Sequence, residues 1–314
     1  MHKRDFFEIE MNMDFKKLKG YLSAFLSAVS YGMIPLYMIP IKESNFSLDA
    51  SLLYRFAIGA VCILGYLIYK KENLKINLRE FIVFIFLGLF YALSSEFLFM
   101  AYDYLTPGIA STIFFTYPII IAIILVAFFS EKITIPTIIS LFIVFAGVFI
   151  LSLKDTESFN INFLGLFIGL MGAVIYGLYI ILVNKSKIPS SGIKLSFYSL
   201  VFSSIYFLAK TCIVEGEVPI PDLETFGNLI SFSLITTVLS LTTLVYAINC
   251  IGSTPTAILG AIEPIIAVGI SVFLFQKESL TTSLIIGVIL IIIGVLIEII
   301  FNKAEGNKEL EPVE

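Results

Sequence analysis

Histidine is nearly absent from this 314-residue chain: the one copy is His2, and there is no tryptophan at all. Charge is scarce too, at 14% of residues, where soluble domains carry roughly a quarter. The three cysteines, Cys62, Cys212 and Cys250, fall mid-span, near one membrane face and near the other, and form no CxxC, so neither a disulfide nor a metal site is expected. No block of basic residues occurs and the net charge is −4, which argues against nucleic acid as a partner. The missing histidines also remove imidazole general bases and metal ligands. With no GxSxG and no paired aspartates, an intramembrane enzyme has nothing to work with, and no cofactor is expected.

What fills the chain is apolar: 58% of residues are hydrophobic and the mean hydropathy is +0.99. Crossing a bilayer takes about 20 apolar residues per helix. Ten such runs can be read, at 20–41, 47–69, 81–103, 107–130, 134–153, 161–184, 194–214, 227–249, 254–275 and 279–301. The loops between them are too short to hold an extramembrane domain. Strand alternation is absent, and a lipid-exposed backbone must satisfy itself inside helices or a closed barrel. The expected fold is an all-α membrane protein of ten transmembrane helices. The polar segments 1–19 and 302–314 read as tails, the first as a disordered or interfacial lead-in, and no cleavable signal peptide is expected.

Lysine and arginine are retained on the cytoplasmic side of short loops. With the N-terminus inside, fifteen of them fall on the cytoplasmic side against four outside, Lys42, Lys154, Lys210 and Lys277. Both tails are therefore expected in the cytoplasm of a cell with this protein in its inner or plasma membrane.

The two halves repeat each other. Ser27-Ala-Val-Ser-Tyr-Gly32 parallels Gly172-Ala-Val-Ile-Tyr-Gly177. Gly20, Ala24, Ser27 and Tyr31, on one helix face, parallel Gly165, Gly169, Gly172 and Tyr176 at an offset of 145. Ala101, Asp103 and Pro118 align with Ala247, Asn249 and Pro264 at 146, then Glu131, Ser140 and Gly147 with Glu278, Gly287 and Gly294 at 147. Each half, 20–153 and 161–301, holds five spans. An odd number starts the second half from the opposite side of the membrane, giving two inverted five-helix repeats, an arrangement typical of secondary transporters.

On these residues the sequence resembles the EamA branch of the drug/metabolite transporter superfamily, over about 20–301. The motifs are Leu53-Tyr-Arg-Phe56, Pro118 with Glu131-Lys132, Ile262-Glu-Pro264, and Gln276-Lys-Glu278 followed by Gly287 and Gly294. One departure is that Glu278 follows Gln-Lys rather than a Leu-Gly-type pair. The resemblance implies membrane transport; for substrate it implies only the range of amino acids, metabolites and drugs.

Four ionisable residues lie deep in spans: Arg55, Glu96, Glu263 and Glu298. A mid-span charge costs roughly 2.5–3.5 kcal/mol on insertion scales, so each must be paired or used. Glu298 is close enough to a membrane face to snorkel. Arg55 and Glu96 share a depth and could pair, either as a tie between spans two and three or as a guanidinium offered to an anionic substrate group. Glu263 stands beside Pro264 on a face of small residues, Thr256, Gly260, Ala267 and Ser271, where it could take a proton, a cation or a packing bond. Pro264 and its repeat mate Pro118 are expected to kink their helices, free the carbonyls of Gly260 and Phe114, and act as hinges. Tyr31 and Tyr176 either pack helices or line a cavity, with Tyr91, Ser94, Ser95 and Tyr102 as further polar lining. Thr106-Pro107 and Thr254-Pro255 read as helix starts.

The expected function is secondary transport, with export of small metabolites such as amino acids foremost: Arg55 for the carboxylate, Glu263 and the kink carbonyls for the amine. The expected partners are the lipid bilayer, a small-molecule substrate and protons. The alternatives are proton-coupled efflux of cationic drugs and a non-transporting sensor. Small multidrug-resistance proteins place their acid in the first span, and spans one and six here have none.

Overall fold

The structure is a computed structural model that describes residues 3–44, 46–104, 113–152, 162–186, 188, 190–275 and 281–308. Its helices are α1 (Lys3–Gly32), α2 (Ile34–Glu43), α3 (Leu48–Tyr69), α4 (Leu78–Tyr104), α5 (Tyr117–Phe129), α6 (Ile135–Ser152), α7 (Phe163–Lys185), α8 (Gly192–Glu215), α9 (Leu223–Ser233), α10 (Ser240–Ile251), α11 (Ser253–Leu259), α12 (Ile262–Phe273) and α13 (Thr282–Lys308). A π-helical turn, Leu234–Leu239, joins α9 to α10. No strand occurs among the described residues.

Seven helical stretches are long and apolar enough to cross a membrane. Three shorter apolar helices, Tyr117–Phe129, Ile135–Ile150 and Thr282–Glu298, stand where the fourth, fifth and tenth runs are expected. Four of the runs differ from expectation in a way that matters for the site, the fourth by a turn at Phe115–Thr116. The first is longer, since the residues expected as a lead-in are helical from Lys3, and it breaks at Met33. The eighth is one stretch from Leu223 to Ile251 with the π turn inside it. The ninth is two helices separated at Gly260–Ala261.

Helix starts follow from local chemistry. The first backbone N–H groups of a helix lack partners, and a short polar side chain supplies one. Ser47 accepts from Ala50 N at 3.2 Å to start α3, Asn162 from Leu164 N at 2.9 Å to start α7, Ser191 from Lys194 N at 3.2 Å to start α8, and Asp222 from Thr225 N at 2.8 Å to start α9. Gly252, at φ +87°, ends α10 and lets α11 begin at the next residue. The Thr254-Pro255 start is thereby shifted: Gly252 is the cap, and Pro255 is the third residue of the helix, still in the first turn. Thr106-Pro107 lies outside the described residues.

Packing runs between the halves. α1 packs along α10, and the repeat-related pair α4 and α7 does the same. α5 lies on α7 as α12 lies on α1, while α3 pairs with its own mate α8 and α6 with its mate α13. Exchanging the halves maps this set of contacts onto itself, as a two-fold axis requires. The mates run antiparallel: Ser140 Oγ donates to Gly294 O at 2.8 Å, and one turn pair along, a Cβ on Gly147 would stand 2.9 Å from Gly287 O. Small residues let these backbones close, which is how helices associate where lipid removes the hydrophobic drive. The faces Gly20–Ala24–Ser27–Tyr31 and Gly165–Gly169–Gly172–Tyr176 are all buried. The outside is the reverse, with Ile123, Phe128, Phe142, Phe167 and Ile205 exposed. An apolar surface of that kind is matched by lipid and not by water.

Candidate functional site

Three helix breaks converge. α1 ends at Gly32, and α2 restarts with Pro35 as its second residue. The fourth run breaks at Phe115–Thr116, and the ninth at Gly260–Ala261. A cavity of about 60 Å³ lies where they meet, lined from the first break by Tyr31, Gly32, Ile34 and Pro35. α4 adds Ser95, Leu98 and Phe99; the second break adds Phe114 and Phe115; the third adds Glu263, Pro264 and Ala267. That space holds on the order of four waters, or the polar head of a small solute. Its walls come from both halves of the chain.

The prolines work differently from a mid-helix kink. Pro118 is the second residue of α5 and Pro264 the third of α12, so each sits in a first turn where no backbone bond is lost. Gly260 O is not freed: Glu263 N donates to it at 2.9 Å, and Ala261 N bonds Ile258 O at 3.0 Å. The Gly260–Ala261 site is thus two helices meeting at a tight turn, and at Phe115–Thr116 a turn of the same kind precedes the start of α5. Gly32 is what lets α1 reach the first of them, since a Cβ there would stand 2.6 Å from Glu263 O.

Glu263 is half-buried and is the one carboxylate among the described lining residues. It stands in the first turn of α12, where the positive end of the helix dipole favours negative charge. Tyr31 lines the cavity beside it. Behind Phe114 and Phe115 runs an aromatic wall: Tyr176 is 5.5 Å from Phe114 and 4.9 Å, edge-on, from Tyr117. Tyr117, the repeat mate of Glu263, donates to Ala257 O at 3.3 Å. Tyr176 supports the wall and does not line the cavity.

Arg55 and Glu96 do not pair. Arg55 is 0% exposed. Its Nε donates to Thr237 Oγ1 at 2.6 Å and its Nη2 to Thr236 O at 3.2 Å, both in the π turn. Its guanidinium carbon lies 4.5 Å from the Phe232 ring and 5.5 Å from those of Tyr31 and Phe56. Glu96 turns instead to Lys210, whose Nζ lies 2.9 Å from Glu96 Oε1 and 2.8 Å from Asp49 Oδ1. Tyr206 donates its hydroxyl to the other Glu96 oxygen. Shared depth was insufficient to pair the two because Lys210 also reaches that level from α8. Glu96 therefore ties α3, α4 and α8 together, away from the cavity.

Ser94 is buried and donates to Tyr91 O of its own helix at 3.0 Å; Ser95, bonded the same way, is the serine that lines the cavity. Glu298 is buried at 1% exposure rather than snorkelling. The side chains of Tyr102 and Ser271, and the segment Gln276-Lys-Glu278, lie outside the described set. Among the described residues no cluster of His, Cys, Asp and Glu could hold a metal ion.

The sequence reading missed Pro35, Phe115 and the π turn, and it named Gly32 only as a repeat position and Phe114 only for its carbonyl, not as cavity lining. Pro35 and the Phe-Phe pair three residues before Pro118 carried a legible signal, because proline favours helix starts. The π turn, LITTVL, has no such marker.

A sequence model of the EamA-like transporter family matches residues 18–153 and again 163–300. No curated protein is similar enough in sequence to match. A solved structure described only as a crystal structure of a protein superposes with a TM-score of 0.74 at 15% identity, over 91% of this chain and 98% of its own. At that identity the likeness is one of fold. Two family matches that together span most of the chain lead to one statement: the chain belongs to the EamA-like transporter family.

Proposed function

We propose that this transporter exports small amine-bearing metabolites, amino acids among them, by alternating access between its two halves. The observation that carries the reading is the cavity between the halves, whose described lining is apolar and aromatic apart from the Ser95 hydroxyl, the Tyr31 phenol and one carboxylate, Glu263. A carboxylate in such a place binds an ammonium group or a proton in turn, so substrate leaving and proton entering can share it. The turns at Phe115–Thr116 and Gly260–Ala261, each followed by a proline, are the proposed hinges of the rocking motion. Both tails face the cytoplasm in this reading, on the strength of the lysine and arginine bias.

A second reading, proton-coupled efflux of apolar cations, draws support from the lining itself, which has no lysine or arginine among its described residues. Radiolabelled leucine and isoamylamine, offered to inverted vesicles with and without a proton gradient, separate the two. Gradient-driven uptake of leucine supports amino acid export; uptake of isoamylamine alone supports cation efflux. Glu263→Gln keeps the volume and hydrogen bonding of a protonated packing group, so it should insert and fold but lose gradient-driven uptake. Wild-type rates in that variant would assign Glu263 to helix packing.

A further inference from the structure

Arg55 is fully buried, yet among the described residues no carboxylate lies within bridging distance of it. Its acceptors are neutral, a threonine hydroxyl and a carbonyl, and its Nη1 is buried with no hydrogen-bond partner. A guanidinium stripped of water and left with two idle N–H donors is an unfinished ion pair.

Repeat symmetry sharpens the point. Features that only build the fold recur in both halves, as the serine caps, the glycine seams and the proline starts do. The repeat mate of Arg55, at the offset of 144 that relates Ser47 to Ser191, is Ser199. The π turn that supplies both Arg55 acceptors has regular α-helix as its counterpart in α4. Glu263 has an uncharged mate, Tyr117. The asymmetric residues therefore gather on the two sides of Tyr31, whose ring lies 5.5 Å from the Arg55 guanidinium and which itself lines the cavity with Glu263.

We propose that Arg55 is a second, anion-binding subsite, closed off from the cavity by the Tyr31 ring in this conformation, and that it takes the carboxylate of a substrate whose amine is held by Glu263. This deepens the functional reading above and rests on its placing of the amine at Glu263. The ligand class is a zwitterion with one amine and one carboxylate. Tyr31 is the specificity-determining residue, because its ring must swing aside before a carboxylate meets Nη1. Until it does, the cavity reads only the amine end.

Three probes share one carbon skeleton: leucine, isoamylamine, which lacks the carboxylate, and 4-methylpentanoate, which lacks the amine. Their binding to the purified full chain is measured by competition and by the ligand-induced shift in Tm. Arg55→Met should weaken leucine and 4-methylpentanoate by about tenfold, the order that a charge-assisted bond contributes, and leave isoamylamine unchanged. Glu263→Gln should weaken leucine and isoamylamine and leave 4-methylpentanoate unchanged. Tyr31→Ala should strengthen 4-methylpentanoate, and the gain should vanish in Tyr31→Ala with Arg55→Met. Arg55→Met weakening all three probes alike, or none, overturns the subsite. Where Arg55→Met does not fold, Tyr31→Ala decides: no gain for 4-methylpentanoate overturns it. Binding of 4-methylpentanoate that depends on Arg55, with no probe sensitive to Glu263→Gln, would keep the anion subsite and sink the amine reading. Failure of wild type to bind any of the three overturns both.

Discussion

Tyr54 and Tyr198 are the same residue of the repeat, 144 positions apart, and each reaches into the other half. Tyr54 donates its hydroxyl to Pro219 O at 3.1 Å, and Tyr198 donates to Leu74 O at 2.6 Å. The acceptors follow the same exchange, each in the segment just past the end of the partner helix. The start of α3 is thus tied to the end of α8, and the start of α8 to the end of α3. Charges reinforce both ties: Lys210 bonds Asp49 at one end, and Lys194 Nζ bonds Lys75 O at 2.7 Å at the other.

Tyr54→Phe and Tyr198→Phe should each lower stability in detergent by about 1 kcal/mol, the usual net worth of one hydrogen bond. Because the ties sit at opposite ends, the two variants should shift the conformational balance in opposite senses. Thiol labelling of single cysteines placed at each end of the cavity measures that balance. Equal shifts in the same direction would show the ties to be simple staples.

Gly32 admits no side chain without movement of α12, since its Cβ would stand 2.6 Å from Glu263 O and 2.8 Å from Ile266 Cβ. Gly32→Val should cost about 1–3 kcal/mol as an overpacked contact and displace Glu263. Transport should fall further than the loss of folded protein accounts for. A variant that melts early but transports normally per folded molecule would separate the contact from the site.

Sidedness is open to a direct test. The segments holding Lys75, Arg79, Glu80, Lys185 and Lys194 bond to one another at one end, through Lys194 to Lys75 O, Ser190 to Glu80 and Arg79 to Ser186 O. The charge bias assigns that end to the cytoplasm. Topology reporters fused after Lys75 and after Asn302 should read as cytoplasmic, and one at Glu217 as external. A cytoplasmic signal at Glu217 removes the proposed orientation.

Asp222 caps α9 just outside the membrane run, and its bonds to Thr225, from the side chain first and then the backbone, hold its carboxyl below the ordinary range. A depressed folded pKa gives stability that is present above the unfolded value, near 4, and is lost as pH falls through the folded value. Melting curves taken downward from about pH 4 should therefore show a loss that Asp222→Asn, which still caps, does not show. An identical acid profile in both proteins would place the sensitivity elsewhere.

The repeat was legible because fold-building residues recur: Ser140 with Gly287, Gly147 with Gly294 and Pro118 with Pro264 all lie at the seams and breaks. Glu263 was legible as a charge in the wrong solvent. The partner of Arg55 was not, since depth along a helix says nothing of azimuth around it, and Lys210 competes for Glu96 from a helix distant in sequence. The prolines were visible but their meaning was not. A proline reads alike whether it bends one helix or opens a second, and only the preceding turn tells which.

The offset between the halves falls from 145 in the first span to 144 in the second and grows from there on, and the π turn gives one step of that growth a location. Gly59 and Ser203 are mates at 144, and Gly88 and Ser233 at 145: Ser203 Oγ donates to Gly88 O, while a Cβ on Gly59 would stand 3.2 Å from Ser233 Oγ. Past the π turn the offset is 146, with Ala101 and Ala247 both at 0% exposure. A π turn is an α-helix that has absorbed one extra residue without losing its course. The second half thus carries a single-residue insertion between Ser233 and Ala247, at the turn that presents Thr236 and Thr237 to Arg55. One codon's worth of chain is enough to make a duplicated scaffold lopsided at its centre.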